Sequence, residues 1–402
     1  MRGWRLALGG ALLLGACQER LTSPGDCPAL CPGGSPQVVD EILSAIPGSD
    51  SSFVGYVKPQ AAPALLVSNG LEGFEERAVM RFPPRSDSVS VRDTLRSYVV
   101  DSVAFGFTVL ARDSMATGLQ LLLYRLPPFI DSTTTYAQLD PAFVPENLVL
   151  TVPIPDSIKT GVLRAVVQGS DLSRIALTPA DSGVLSLGVR LDSPTFTGVR
   201  LGASAAGNGG VFLTYATVAV PDTGAARLRT FPLTATFNTS LPAVPEAVDT
   251  TVLTVGGNPS ARSLIRFELP SRIRDSATVI RATLELTPVA PLTGLVTDPV
   301  RLVARGILSD LGAKSPVESR FGVALDTIPV GSSATEELEM VQLLQLVWIG
   351  ESRPAGLVLS LTPELEAASF SRPVFYSSRA ADPAVRPRLR VSYLRSFPFE
   401  NP

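Results

Sequence analysis

From Asp50 onward, apolar and polar residues alternate in short runs separated by turns. Ser52-Phe53-Val54-Gly55-Tyr56-Val57 and Ala64-Leu65-Leu66-Val67 are of this kind. Runs of this length, rich in β-branched and aromatic residues, predict strands. Asp-Ser pairs punctuate them at Asp50, Asp87, Asp101, Asp113, Asp131, Asp156, Asp181, Asp192 and Asp275. Such side chains bond to backbone two residues on and so seat turns; a calcium loop needs several oxygen ligands at a definite spacing. Within one strand, Ile265, Phe267 and Leu269 share a face, while Leu264, Arg266 and Glu268 share the other. Arg81 and Arg266 then either sit on the outer face or are buried against a carboxylate. One stretch departs from this texture. Ser333-Ala334-Thr335-Glu336 has the form of a capping box, and Leu338, Val341, Leu344, Leu346 and Trp348 follow at broadly helical spacing, predicting a helix that ends near Ile349-Gly350. Trp348 in that run is expected in the core.

The pattern also repeats. Arg77-Ala78-Val79-Met80-Arg81-Phe82 returns as Arg262-Ser263-Leu264-Ile265-Arg266-Phe267, and Ser102–Thr108 is echoed by Arg281–Thr287. Val184-Leu185-Ser186-Leu187 matches Val358-Leu359-Ser360-Leu361, Phe196 matches Phe370, and Leu213-Thr214-Tyr215 matches Val391-Ser392-Tyr393. The order is kept throughout, at a spacing of roughly 175 to 185 residues, which predicts a duplicated domain. The fold expected is all-β: two tandem antiparallel β-sandwich domains, jelly-roll-like, with one short helix in the second. The boundaries expected are a signal peptide over 1–16, a Pro/Gly/Ser tether over 17–49, a first sandwich over 50–225 and a second over 226–402.

Composition narrows the chemistry more than the fold. The chain has 402 residues, 45% of them apolar and 18% charged, which suits cores that fill on both sides rather than disorder. It has no histidine. Ser-His-Asp and Cys-His relays and imidazole metal sites therefore cannot be built. Carboxylate chemistry remains, but it needs two acids across a groove, and no such pair stands out; Glu336, Glu337 and Glu339 sit together at the expected helix start, where acids suit the dipole. No catalytic residue, metal ligand or cofactor is expected, and the chain is not expected to be an enzyme. The formal charge is −3 with no basic stripe, so nucleic acid is not an expected partner.

The beginning of the chain carries Arg2 and Arg5, an apolar run from Leu6 to Ala16, and Leu14-Gly15-Ala16-Cys17. This layout is a secretory signal, and it resembles bacterial lipoprotein precursors. An apolar run this short does not cross a hydrocarbon core, which takes roughly 20 residues. The resemblance implies that the segment is removed and that acylated Cys17 anchors the protein. Gln18 rather than Asp after the cysteine implies the outer membrane, by the sorting pattern of Gram-negative lipoproteins. In an exported chain, Cys27 and Cys31 are expected to form a small disulfide within the tether.

From Val248 to Leu394 the chain resembles a DNRLRE-type domain, a bacterial β-sandwich related to carbohydrate-binding module family 96. The resemblance rests on Asp249-Thr250-Thr251-Val252, Ser263-Leu264-Ile265-Arg266-Phe267, Ile280–Leu286, Gly356-Leu357-Val358-Leu359, Phe370-Ser371 and the closing Arg386-Pro387-Arg388-Leu389-Arg390-Val391-Ser392-Tyr393. It implies a noncatalytic module that binds polysaccharide such as alginate, or an accessory domain of a surface protein. Sugar sites combine exposed aromatic rings with hydrogen-bonding side chains. Aromatics outside the clear core strands are Tyr98, Tyr124, Tyr136, Phe375 and Tyr376; with Arg372 and Arg379 close by, Arg372, Phe375, Tyr376 and Arg379 form the expected ligand-binding set. The function expected is an outer-membrane lipoprotein, held to the membrane by its lipid, that binds polysaccharide or has a structural role. Docking of another envelope protein is the alternative, and a carboxylate-based glycan hydrolase or lyase comes third.

Overall fold

The computed structural model describes residues 38–395, apart from 55–58, 71–74, 92, 194, 220–225, 244–248, 250, 276, 296–299, 320–323, 352 and 362–368. Cys17, Cys27 and Cys31 lie outside the described residues. The first eight strands are β1 (Val38–Ser44), β2 (Ser51–Val54), β3 (Ala64–Asn69), β4 (Glu76–Arg81), β5 (Ser88–Val91), β6 (Thr94–Arg112), β7 (Gln120–Leu126) and β8 (Leu148–Pro153). Then come β9 (Gly161–Gln168), β10 (Ser186–Asp192), β11 (Thr197–Gly202), β12 (Val211–Ala219), β13 (Ala226–Thr234), β14 (Phe237–Pro242), β15 (Val252–Thr254) and β16 (Ala261–Arg266). The last are β17 (Ala277–Leu286), β18 (Val300–Gly306), β19 (Ala324–Ile328), β20 (Glu336–Glu339), β21 (Gly356–Leu361), β22 (Val374–Tyr376) and β23 (Arg388–Arg395). Pairing among the described strands is antiparallel and the protein is all-β.

One twelve-stranded sheet makes the first unit, in the order β13-β12-β6-β11-β3-β4-β10-β7-β8, with β5 and β9 also on β6 and β14 on β4. The long strand β6 turns the corner. Its middle pairs with β9 on one side and β12 on the other, and its end pairs with β11. The sheet thus wraps round a core that includes Phe82, Phe105, Phe107, Leu121, Val189 and Leu201. Outside β4, β10 and β7 lies a smaller cluster with Tyr124, Ile130, Leu139 and Phe143. Position 188 has to be glycine there, because a Cβ would fall 2.4 Å from the Phe143 ring.

The second unit is a sandwich. Sheet β1-β23-β17-β20 and sheet β19-β18-β21-β16-β2 both contribute to one core with Phe267, Leu302, Trp348, Phe375 and Tyr393. Its composition corrects the expected boundaries. Val38–Ser44, placed in the tether, pairs along its whole length with the closing strand, from Val38 opposite Leu394 to Ser44 opposite Arg388. Ser51–Val54, placed in the first sandwich, pairs with β16. β13 and β14, placed in the second sandwich, pair with β12 and β4 of the first unit. The first unit, 59–243, is therefore inserted between β2 and β15 of a second unit made of 38–54 and 249–395. Alternation along a chain marks a strand but carries no address for its partner.

The expected helix is also corrected. Glu336–Glu339 is a strand paired with β17, so Ser333-Ala334-Thr335-Glu336 caps nothing; the helical part is Val341–Leu343 followed by a wider turn over Leu344–Trp348. Leu338 and Met340 are fully buried while Glu337 and Glu339 are exposed, a period of two that the capping signal masked. Trp348 is 1% exposed with its ring 6.3 Å from that of Phe267. Short helices occur in the first unit as well, including Tyr136–Leu139, which has its own capping box in Thr135 and Gln138.

The repeated segments make equivalent pairings: β4 with β10 as β16 with β21, and β6 with β12 as β17 with β23. Asp101 is skipped between the pairs Ser102–Tyr215 and Val100–Ala216, and Ile280 is skipped between Arg281–Ser392 and Val279–Tyr393. The two bulges fall at matching places, and they move the match in the closing strand by one residue, Tyr215 standing where Ser392 stands. Arg81 and Arg266 take the same use in both units. Arg81 donates to Ile130 O (2.7 Å), and Arg266 to Ser49 O and to both oxygens of Asp310 (2.5 and 2.6 Å), so each ties down a loop beyond its strand end.

Candidate functional site

The expected ligand-binding set does not assemble. Phe375 is fully buried in the core of the second unit. Tyr376 is held opposite Val252 in a two-stranded ladder. Arg379 donates from Nη1 to Asp50 Oδ1 (2.9 Å) and Asp50 O (2.9 Å), and from Nη2 to Gly48 O (2.6 Å). Asp50 is 1% exposed and also accepts from Ser378 N (2.5 Å) and Ser378 Oγ (2.7 Å). That arginine serves to hold residues 48–50 onto the second unit. Arg372 is half-buried against Gly257, and burial pulls its guanidinium down to about 10. Tyr124 packs on Phe143 at 5.1 Å between ring centres. Of the aromatic candidates, Tyr98 and Tyr136 line hollows.

Tyr136 belongs to a hollow of about 280 Å³ at the junction of the units. The turn before it is built by Asp131, whose Oδ1 accepts from Thr133 N (2.8 Å) and Thr133 Oγ1 (2.7 Å); these bonds hold its carboxyl below the usual range. Thr135 then caps the short helix that begins at Tyr136. β14 supplies Thr239, Ser240 and Leu241, and the second unit supplies Asn258 and Pro259. Tyr136 is set by Arg77, whose guanidinium carbon lies 4.3 Å from the Tyr136 ring centre and 4.4 Å from that of Phe143. Arg77 is itself fixed by Asp140 (2.7 Å) and Glu75 (2.8 Å). Burial first, offset in part by Arg77, pushes the Tyr136 hydroxyl up to about 12, so it stays neutral.

Asn258 is oriented from below. Its Nδ2 donates to Glu76 Oε2 (3.0 Å), and Glu76 is 8% exposed. Burial raises that carboxyl to about 8 against the lowering effect of the Asn258 bond, so it carries its proton at neutral pH. Among the described lining residues, Asp131 is the one charged side chain; the rest present hydroxyls, amides, a ring and apolar atoms. Such side chains can donate hydrogen bonds to, and accept them from, hydroxyl groups. The set offers one carboxylate where hydrolysis of a glycosidic bond calls for two.

A second hollow opens at the mouth of the first unit, where Tyr98 stands beside Arg85, Thr178 and Ser182. No group of three His, Cys, Asp or Glu side chains among the described residues is placed to hold a metal ion. No described helix is long and apolar enough to cross a membrane.

Sequence reasoning missed Asn258, Gln60 and Arg85. The run Asp131-Ser132-Thr133-Thr134-Thr135 before Tyr136 was a visible cluster of hydroxyls, of which Ser132, Thr134 and Thr135 line the hollow; nothing around Asn258 announced its place there.

No family model matches the chain, and no curated protein matches it. A solved structure of the Macrobrachium rosenbergii nodavirus aligns over 93% of this chain and 93% of its own at 9% identity, with a TM-score of 0.16. That likeness is too slight to carry an argument.

Proposed function

We propose that the protein is a noncatalytic lipoprotein of the outer membrane, anchored by acylated Cys17, that binds polysaccharide in the hollow between its two units. The observation that carries this reading is the hollow beside Tyr136, lined by Ser132, Thr134 and Thr135 of the first unit and by Asn258 of the second. The resemblance of the second unit to DNRLRE-type domains supports the same ligand class. In the full chain with Cys17→Ser, a panel of neutral and acidic polysaccharides is tested by affinity electrophoresis. At least one retards the protein, and Tyr136→Ala and Asn258→Ala each weaken binding about tenfold, the worth of one or two hydrogen bonds or a ring face. Retardation by none of them rejects the glycan reading. The same Cys17→Ser change moves the protein from the membrane to the soluble fraction.

Docking of another envelope protein is the second reading. It is favoured by the outward side of β9, where Val162 is 70% and Val166 45% exposed. Crosslinking in cells separates the two: a stable protein partner with no dependence on sugar supports docking.

A further inference from the structure

We propose that the mouth of the first unit is a separate site for a single-chain amphiphile with a carboxylate head, Arg85 taking the head and an apolar slot beside Val100 taking the tail. Two hollows meet there, sharing Arg85, Val100 and Leu177. The outer one, about 670 Å³, is lined with polar groups of Ser86, Thr178 and Ser182. The inner one, about 290 Å³, is walled by Val103, Leu172, Ile175 and Leu177. Val103 and Ile175 are fully buried members of the first unit's core, and Val100, Leu172 and Leu177 pack partly buried against it. Through Val100, Leu172 and Leu177 the slot keeps apolar surface in contact with solvent beside the core, and filling it with hydrocarbon removes that surface from water.

Arg85 supplies the charge. It is half-buried, and its guanidinium is held by one long hydrogen bond, Nη1 to Thr214 Oγ1 at 3.4 Å. Arg77, Arg125, Arg266, Arg379 and Arg390 each pair with a carboxylate; Arg85 pairs with none among the described residues. Asp87 lines the same hollow from an exposed position and makes no ion pair with it. A carboxylate matches the guanidinium fork with two parallel bonds.

The frame around Arg85 is fixed. Its N–H donates to Gly183 O (2.9 Å), and the turn that presents Gly183 has Ser182 at φ 50° and Gly183 at φ 74°, where a Cβ on Gly183 would meet Arg85 O at 3.0 Å. Asp181 clips that turn by accepting from Thr178 N (2.6 Å) and Arg125 Nη2 (2.7 Å). The slot sets the ligand's size. At about 290 Å³ it suits one short chain rather than two long ones.

The test uses the full chain with Cys17→Ser, so that no lipid of its own competes, titrated with decanoate, decanol, decyltrimethylammonium and acetate by calorimetry. Decanoate is expected to bind once per chain and at least tenfold more tightly than decanol, and the other two not measurably. Arg85→Gln is expected to cut decanoate affinity about tenfold while leaving decanol binding unchanged, and Val100→Trp to block both. Tyr136→Ala leaves decanoate binding intact, because the two sites are apart. Equal affinity of decanoate for the parent and Arg85→Gln overturns the role of Arg85, and no saturable binding of either ten-carbon chain overturns the site. Circular dichroism of each variant shows whether a loss of binding comes from a folded protein.

Discussion

Glu76 shows how one residue ties pH to the junction of the units. Its carboxyl lies in the first unit's sheet, under the amide of Asn258 from the second. Burial lifts it from 4.5 to about 8, more than the single hydrogen bond offsets. A group that holds its proton more tightly when folded stabilises the fold in full below its unfolded value, and that stability is lost as pH rises through the folded one. The window here is 4.5 to about 8. At about 1.4 kcal/mol per unit, the loss across it approaches roughly 5 kcal/mol. Denaturant unfolding of the parent is therefore expected to weaken from pH 5 to pH 9 relative to Glu76→Gln, and parallel curves for the two would exclude this role. Residue-level legibility in the sequence was uneven for a physical reason. Tyr98 and Tyr136 were visible as aromatics outside the clear core strands, and so were Phe375 and Tyr124, but the type of a residue does not reveal which rings neighbouring elements cover. Arg379 was open to a ligand on the page because the acid that occupies it, Asp50, is 329 positions away.

At the scale of elements, alternation was a sound guide wherever a strand has one buried face. β23 was legible as a strand because its apolar residues fall at every second place and its burial follows suit, whereas β16 buries Leu264 and Ile265 side by side and β17 is buried at every position from Ala282 to Leu286, so both are covered on two faces. β1 was not, since the composition around it is that of a linker and its burial rests on Leu43 at 8% exposure. What makes it a strand is the ladder offered by β23 and its cross-links: Ser392 Oγ donates to Asp40 Oδ1 (2.5 Å), Tyr393 OH donates to Glu41 Oε2 (3.2 Å), and Arg272 pairs with Glu41. Leu43→Ala should then cost about 2 to 3 kcal/mol, like other buried leucines, measured by urea unfolding. A change below about 0.5 kcal/mol, the range of surface substitutions, would return this segment to the tether. The same contest between local and distant signals decided β20: Ser333 and Glu336 had the right spacing for a cap, yet the ladder along β17 gave Leu338 and Met340 a core to face.

The whole molecule depends on two short strands reaching back across an inserted unit. β1 and β2 complete opposite sheets of the second sandwich, and the link between them is buttoned down by Asp50 on Ser378 and Arg379. Ser52 Oγ lies 2.9 Å from Ser263 Oγ, donates to Val252 O (2.7 Å) and accepts from Thr254 N (3.0 Å), so removing β2 takes this acceptor from the buried Thr254 N–H as well as baring an edge. The units also meet through Phe370, which joins Leu66, Leu295 and Phe196; a Cβ on Gly198 would fall 2.6 Å from its ring. Phe196 and Phe370, matched in the repeat, thus come into one cluster at the junction. A fragment starting near residue 226, where composition places the second domain, would carry β13 and β14 without their sheet and lack β1 and β2. Residues 249–395 alone are accordingly expected to show no cooperative melt. Joining 38–54 to them through a short flexible linker in place of the inserted unit should restore one, and 59–243 should melt cooperatively by itself. Differential scanning calorimetry of the three fragments decides the matter. If 249–395 melts as sharply and at the same temperature as the linked form, the second unit is complete without its leading strands and the insertion is merely a route of the chain.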